Sequence, residues 1–242
     1  MRQSSRLIRT NIRLIKMLIA VLVCVAFLWL IGSGRSDDAY SHIAKRETQF
    51  VCEQSPASLE AERRKSSEKL RLLCEISKYS CTRMTEKNAS GKACYKYKVK
   101  YTMNRSEKMQ SEKAECLLAE EALKRPKSRR AEYIYRQIIR NLKRDTKKQQ
   151  SYTPYGALVL KRVCCEGASL AFADVCRMSG LECRVIIGKS EGESHMWTAL
   201  KRNSSWIYCD PAWDAGQTRL AYFARSASYM RDHAHVFPNE KS

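Results

Sequence analysis

The sequence predicts an α+β fold carried behind an N-terminal membrane helix, and three observations lead there. An apolar run from Met17 to Ile31 follows a basic flank; Tyr95 to Met103 alternates strictly; and a helical pattern starting just after Cys165 is followed by three β-rich runs. A helix followed by an antiparallel meander is an α+β arrangement.

The N-terminal element comes first. Arg2, Arg6, Arg9, Arg13 and Lys16 carry all the charge of the first 32 residues, and Met17 to Ile31 has neither a charge nor a strongly polar group. At 1.5 Å per residue that run spans about 22 Å, short of the roughly 30 Å hydrocarbon core. Gly32, Ser33 and Gly34, with Lys16 snorkelling, bring it near the needed length. Residues 1–34 therefore read as a cytoplasmic basic flank and signal anchor, with a cleaved signal peptide ending near Gly32 or Gly34 as the alternative. The positive-inside rule places everything after Ser33 outside the cell, anchored to the plasma membrane or secreted.

The chain is strongly basic, with a formal net charge of +20. Its Lys and Arg are mixed with Glu along helical segments and no aromatic-basic repeat appears, so no nucleic-acid partner is expected. A basic ectodomain would instead be drawn to an anionic cell envelope. Ten cysteines follow the anchor, and outside a cell such density implies some disulfides. With no CxxC pair and only four histidines, no zinc site is expected; with no clustered acidic loop, no calcium site is either. The expectation is an enzyme or binding domain with no metal and no cofactor.

Residues 35–110 read as an N-terminal extension with a helix over Leu59–Leu73 and a half-buried strand over Tyr95–Met103. Residues 111–242 read as the catalytic domain, with a core over 130–216. Ser111–Lys124 and Ser128–Lys147 form helices separated by Arg125-Pro126, and Ile134, Tyr135, Ile138, Ile139 and Leu142 make the buried stripe of the second. Ala168, Ala171, Phe172, Val175 and Cys176 then give a helix that Gly180 stops. The strands follow at Cys183–Ile187, Ser194–Lys201 and Ser205–Asp210.

This order puts chemistry together. A cysteine at a helix start faces unsatisfied N–H groups and the positive end of the dipole, which lowers a thiol's pKa; Cys165 holds that place, and Cys164 competes for it. In the following hairpin, a constant position sum of 405 pairs His195 with Asp210, Trp197 with Tyr208 and Ala199 with Trp206, with the turn centred between Arg202 and Asn203. Opposed residues on one face have Cβ atoms about 5 Å apart, so Asp210 could orient the His195 imidazole. A thiol, a base and an orienting acid are the parts that make and break a thioester.

Tyr155-Gly-Ala-Leu158, Val163-Cys-Cys-Glu-Gly167, Ala171-Phe172, Gly180-Leu-Glu-Cys183, His195-Met-Trp197 and Trp206-Ile-Tyr-Cys-Asp210 through Trp213-Asp214 together resemble the core of bacterial transglutaminase-like domains. The resemblance implies a papain-like core, a helix carrying the nucleophile packed on an antiparallel sheet. It selects Cys165 over Cys164 as nucleophile and points to His195 as base and Asp210 as its orienting acid. Trp197 and Trp213 are expected beside the site, and Tyr155 as an oxyanion donor or pocket wall. Ala168 where the family often has Tyr, Thr198 where Asn is usual, and Pro211-Ala212 ahead of Trp213 depart from the pattern. The implied activity is acyl transfer from an amide of a protein or peptide substrate through a Cys165 thioester, ending in hydrolysis, deamidation or crosslinking. The rival reading is a non-catalytic domain of the same fold that binds protein or cell-wall polymer.

Overall fold

The computed structural model describes residues 38–63 and 66–238. The expected signal anchor lies outside them. Among the described residues no helix is long and apolar enough to cross a membrane.

The extension is built on a three-stranded antiparallel sheet. Helix α1 (Ala39–Ala44) starts where the Asp38 carboxylate accepts the Ser41 N–H, and leads to β1 (Gln49–Cys52). The single helix expected over 59–73 is two helices, α2 (Pro56–Arg63) and α3 (Ser67–Cys74). Ser66 explains the restart, because its hydroxyl caps the Lys69 N–H and begins a new helix within the helix-forming run. The long β2 (Ile76–Lys87) and β3 (Ala93–Tyr101) then pair, giving the order β1-β3-β2. The alternation seen in β3 works as expected, turning Tyr97 and Val99 into a core with Tyr40, Ile43, Phe50 and Leu59. Burying each such large side chain contributes about 1.5–3 kcal/mol.

Helix α4 (Arg105–Leu123) begins six residues before the expected start, because Asn104 and Glu107 form a reciprocal capping box. Helix α5 (Lys127–Ile139) buries Ile134, Tyr135, Ile138 and Ile139. It ends eight residues early. Asn141 takes a left-handed conformation (φ 58°) just past the helix, and the chain continues extended, so Lys143–Arg144 (β4) pairs in parallel with Arg162–Val163 (β5).

After a 3₁₀ turn (Gln149–Tyr152) and a π-turn (Gly156–Leu160), helix α6 runs from Cys165 to Met178 and is buried from Gly167 through Cys176. Gly167 is required there: a Cβ would stand 2.4 Å from the Ser151 carbonyl oxygen and 2.8 Å from that of Thr153. A side chain would push the first helical turn off the 149–153 loop. Beside α6 lies an antiparallel sheet of β6 (Cys183–Ser190), β7 (Glu193–Arg202), β8 (Ser205–Cys209) and β9 (His235–Val236), in the order β8-β7-β6-β9; the short helix α7 (Ala227–Asp232) precedes β9.

The β7–β8 register differs from the expected one by two residues. Thr198 faces Cys209, Ala199 faces Tyr208 and Arg202 faces Ser205, so the turn centres on Asn203-Ser204, with Asn203 at φ 54°. Asn tolerates this left-handed conformation better than Arg, which draws the turn one position along. An even slip preserves faces, so His195, Trp197 and Asp210 still share one side. The expected disulfides are not seen: none joins the ten described cysteines, six of which are buried as small apolar core residues.

Candidate active site

Cys165 is the first residue of α6, with Cys164 at its N-cap, so the thiol sits where the helix leaves N–H groups unpaired. The Ser169 hydroxyl, one turn further on, donates to the Met196 carbonyl at 3.0 Å. That bond ties the helix to β7 one residue after His195, and so sets the thiol against the imidazole. Cys165 and His195 line the same cleft, and each shifts the other's protonation toward a thiolate and an imidazolium.

His195 Nε2 lies 2.6 Å from Asp210 Oδ2, diagonally across the strand ends rather than directly opposite. That leaves Nδ1 as the ring nitrogen for Cys165. Asp210 is fully buried just past β8, and its Oδ1 accepts the N–H groups of Ala212 at 3.0 Å and Trp213 at 3.1 Å. Pro211 turns the chain so that both amides point back at the carboxylate.

The charges follow from these contacts. Cys165 is pulled down to about 4, first by the hydrogen bond with Cys164 and then, against the opposing effect of burial, by the hydrogen bond and charge of His195. Cys164 is pushed far up by the same bond to Cys165 and by burial. The vicinal pair therefore splits into one thiolate and one thiol. His195 is raised to about 9: burial opposes its cation, but the hydrogen bonds to Asp210 and Cys165 and their charges outweigh it. Burial also works against the Asp210 carboxylate, yet the two imidazoles bonded to it hold it below the usual range. Near neutral pH the arrangement is a thiolate–imidazolium pair supported by a carboxylate.

The second imidazole belongs to His235, which sequence reasoning missed. Its Nε2 lies 3.0 Å from the same Asp210 Oδ2. The donor atoms of His195, Asp210 and His235 lie within 4.8 Å of one another, a spacing that a cation could use. The 2.6 and 3.0 Å contacts are hydrogen-bond distances, and both rings bond one oxygen rather than surrounding a gap. Trp197 is wholly buried and stacks against His195 with centroids 6.0 Å apart; Trp213, at the same distance, also walls the cleft. Tyr155 does not. It is buried ahead of the π-turn, and Tyr152, from the 3₁₀ turn, is the tyrosine that lines the cleft.

The cleft before Cys165 has a volume of about 700 Å³, with Arg63, Arg144, Glu191 and Glu193 at its walls. A second cavity of about 460 Å³ shares Arg63, Tyr152 and Glu166 with it and continues along β2 past Ile76 and Tyr79. The extension thus supplies part of the wall.

Residues 117–211 match the model of the transglutaminase-like superfamily, a span that includes Cys165, His195 and Asp210. A search of curated proteins by sequence gives no match. Two solved structures are similar at low identity. One, "Crystal structure of a TGase", shows 15% identity and a TM-score of 0.37, covering 76% of this chain and 55% of that one. The other, a "Putative Cysteine Protease from Cytophaga hutchinsonii", shows 13% identity and a TM-score of 0.37, covering 57% of this chain and 65% of that one. The chain spans less than two-thirds of either, and at these scores the likeness is too loose to fix fold or function.

Proposed function

We propose that the transglutaminase-like segment works as a cysteine acyl-transfer enzyme on amide bonds of protein or peptide substrates, with Cys165 as nucleophile, His195 as acid and base, and Asp210 as the acid that orients it. The observation that carries this reading is the His195 imidazole, which shares the cleft with Cys165 at the start of α6 and lies 2.6 Å from the buried Asp210 carboxylate. A pure binding domain has no use for a thiolate held beside an imidazolium in an open cleft.

The Cys165 thiolate attacks the amide carbonyl carbon, forming the C–S bond and moving the π pair onto oxygen. The unpaired N–H groups at the start of α6, beside the thiol, would meet that developing charge. Collapse re-forms the carbonyl and breaks the C–N bond, while His195 gives its proton to the departing amine. The neutral imidazole then takes a proton from water or a primary amine as it attacks the thioester. Collapse of that adduct expels the thiolate and restores the ion pair. Water yields an acid and an amine yields a new amide, so hydrolysis, deamidation and crosslinking share one intermediate. The continuous cleft and side cavity suit an extended polypeptide better than a small amide.

The test is thiol alkylation at pH 6 followed by peptide mapping, alongside assays of ammonia release, amine incorporation into glutamine-bearing protein, and peptide cleavage. Cys165 should be modified well before the exposed Cys116, and its modification should abolish turnover. No turnover on any substrate, with Cys165 no faster than Cys116, would overturn the reading. The basic, apolar N-terminus supports a cell-surface placement with residues after Ser33 outside. Protease added to intact cells should then digest the catalytic part; its survival until lysis would refute that topology.

A further inference from the structure

We infer that His235 is a positioning residue for the His195–Asp210 pair, an inference that rests on the catalytic reading above. Asp210 Oδ2 is faced by two imidazole nitrogens, His195 Nε2 at 2.6 Å and His235 Nε2 at 3.0 Å, while Oδ1 is held by the Ala212 and Trp213 amides. Four donors in four directions leave the carboxylate no free rotation. Without His235, Oδ2 would have His195 as its single partner, and the whole charge of that oxygen would fall on one bond.

The ring of His235 is itself fixed. Its Nδ1 lies 2.9 Å from the His233 carbonyl oxygen, and because an ionised carboxylate can only accept, it is the His235 Nε2–H that donates to Asp210. Trp197 meets it edge-on at 5.1 Å between centroids, and Trp213 lies tilted at 4.9 Å. The backbone is placed by β9, which adds to the edge of β6 with His235 opposite Ser190. This two-residue strand, 25 positions beyond Asp210, puts one more donor on an oxygen already in use.

The chemical consequence concerns how tightly His195 holds its proton. A second donor on Oδ2 spreads the carboxylate charge and makes it a weaker acceptor for His195, so the imidazolium releases its proton to the leaving amine more readily. The other titratable groups facing this cluster are Cys165 and Cys164 at the start of α6, and Tyr222, whose ring lies 5.9 Å from that of His235; Asp214 is bonded to Tyr135 on the far side. The His195 and His235 rings also meet edge to face with centroids 5.4 Å apart, a contact that a Phe ring at 235 keeps, so His235→Phe isolates the effect carried through Asp210.

The experiment compares wild type, His235→Phe and His235→Gln. Phe keeps the ring packing and removes the donor, whereas the Gln amide can reach the Nε2 position. Each protein is followed by alkylation of Cys165 with iodoacetate across pH, mapped by mass spectrometry and needing no substrate, by turnover on an amide substrate, and by thermal unfolding. Anionic iodoacetate reports the imidazolium, so its rate should fall through about 9 in wild type. In His235→Phe that limb should move up by about one pH unit and kcat should fall about tenfold, with KM little changed. His235→Gln should restore both. Equal behaviour of Phe and Gln, or a folded Phe variant with the wild-type profile and rate, would overturn the inference. So would loss of wild-type turnover on chelation and its recovery with zinc, since the three groups would then be metal ligands. A wild type whose Cys165 is unreactive would instead sink the catalytic reading itself, which keeps the two failures distinct.

Discussion

Replacing Asp210 by asparagine changes one atom at the centre of the site. In the wild type Oδ1 accepts two backbone N–H groups and Oδ2 accepts from both imidazoles, all within 3.1 Å. The carbonyl of the introduced amide can keep the two backbone bonds, because Ala212 and Trp213 only donate. Its NH₂ then replaces Oδ2 and presents hydrogens to His195 Nε2. His195 can answer only as an acceptor, which puts its remaining proton on Nδ1 and removes the support for the cation. A hydrogen bond to a charged group contributes about 1.5–3 kcal/mol, roughly a 10- to 150-fold loss in rate. The corresponding change in a serine protease costs about 10⁴-fold, an upper guide, since a thiolate already formed depends less on its base. The side chain is wholly buried, and the new donor also meets His235, so stability should drop by about 1–3 kcal/mol, lowering Tm by several degrees while unfolding stays cooperative. The assay is turnover on one amide substrate, with Cys165 alkylation and thermal unfolding run on the same preparations. A folded Asp210→Asn protein with wild-type turnover and wild-type alkylation would refute the triad reasoning.

Cys165→Ala should abolish acyl transfer with the fold intact. Cys164→Ala should keep substantial turnover but raise the acid limb of its pH profile, since the Cys164 thiol is the largest influence lowering Cys165; equal loss from both would mean that the nucleophile is misassigned. In the wild type, kcat/KM should rise as Cys165 loses its proton through about 4 and fall as His195 loses its own through about 9. A single limb near 8.5, the ordinary thiol value, would show that no ion pair forms. Arg71 binds Glu115 at 3.0 Å and Asp174 at 2.8 Å, both buried, so Arg71→Met should cost about 3–5 kcal/mol in an unfolding titration; a loss below 1 kcal/mol would mean that the network is loose.

What could be read in the sequence was whatever local periodicity encodes. The start of α6 at Cys165, the three strands after it and the β3 alternation all follow from short-range pattern. The hairpin register was read two residues off because a sum rule needs the turn, and the turn was decided by Asn203 rather than by the centre of the polar stretch. The face survived because the slip was even. His235 left no signal: a two-residue strand has no period, and its partner Asp210 is remote in sequence. Strand β2, with Lys, Ser, Thr and Arg along most of its length, owes its place to pairing with β3 rather than to its own pattern. Tyr152 and Tyr155 are three residues apart, and only the local 3₁₀ and π turns determine which of them reaches the cleft.

Residues 56–74 also contact the helix that carries Cys165. Glu166, beside the nucleophile, accepts from Cys74 Sγ at 2.5 Å and lies 3.3 Å from Arg63 Nη2 through the same oxygen. Eight residues on, Asp174 pairs with Arg71. Eight residues are a little over two helical turns, so residues 166 and 174 lie on one face of α6, about 12 Å apart along its axis. Between these polar clamps Leu70 and Cys74 pack on Leu170 and Met196, an apolar contact that also touches Cys165. Helix α6 is thus gripped at two points by α2 and α3 and tied to β7 by Ser169. A thiol at a helix start is held low by the helix end, the imidazole and the neighbouring thiol, so its pKa depends on how α6 is held. These contacts hold α6 on the face that bears Glu166 and Asp174, and Arg63 at once pairs with Glu166 and walls the cleft. On the proposed catalytic reading, the cleft wall and the placement of Cys165 share residues that lie about a hundred positions upstream.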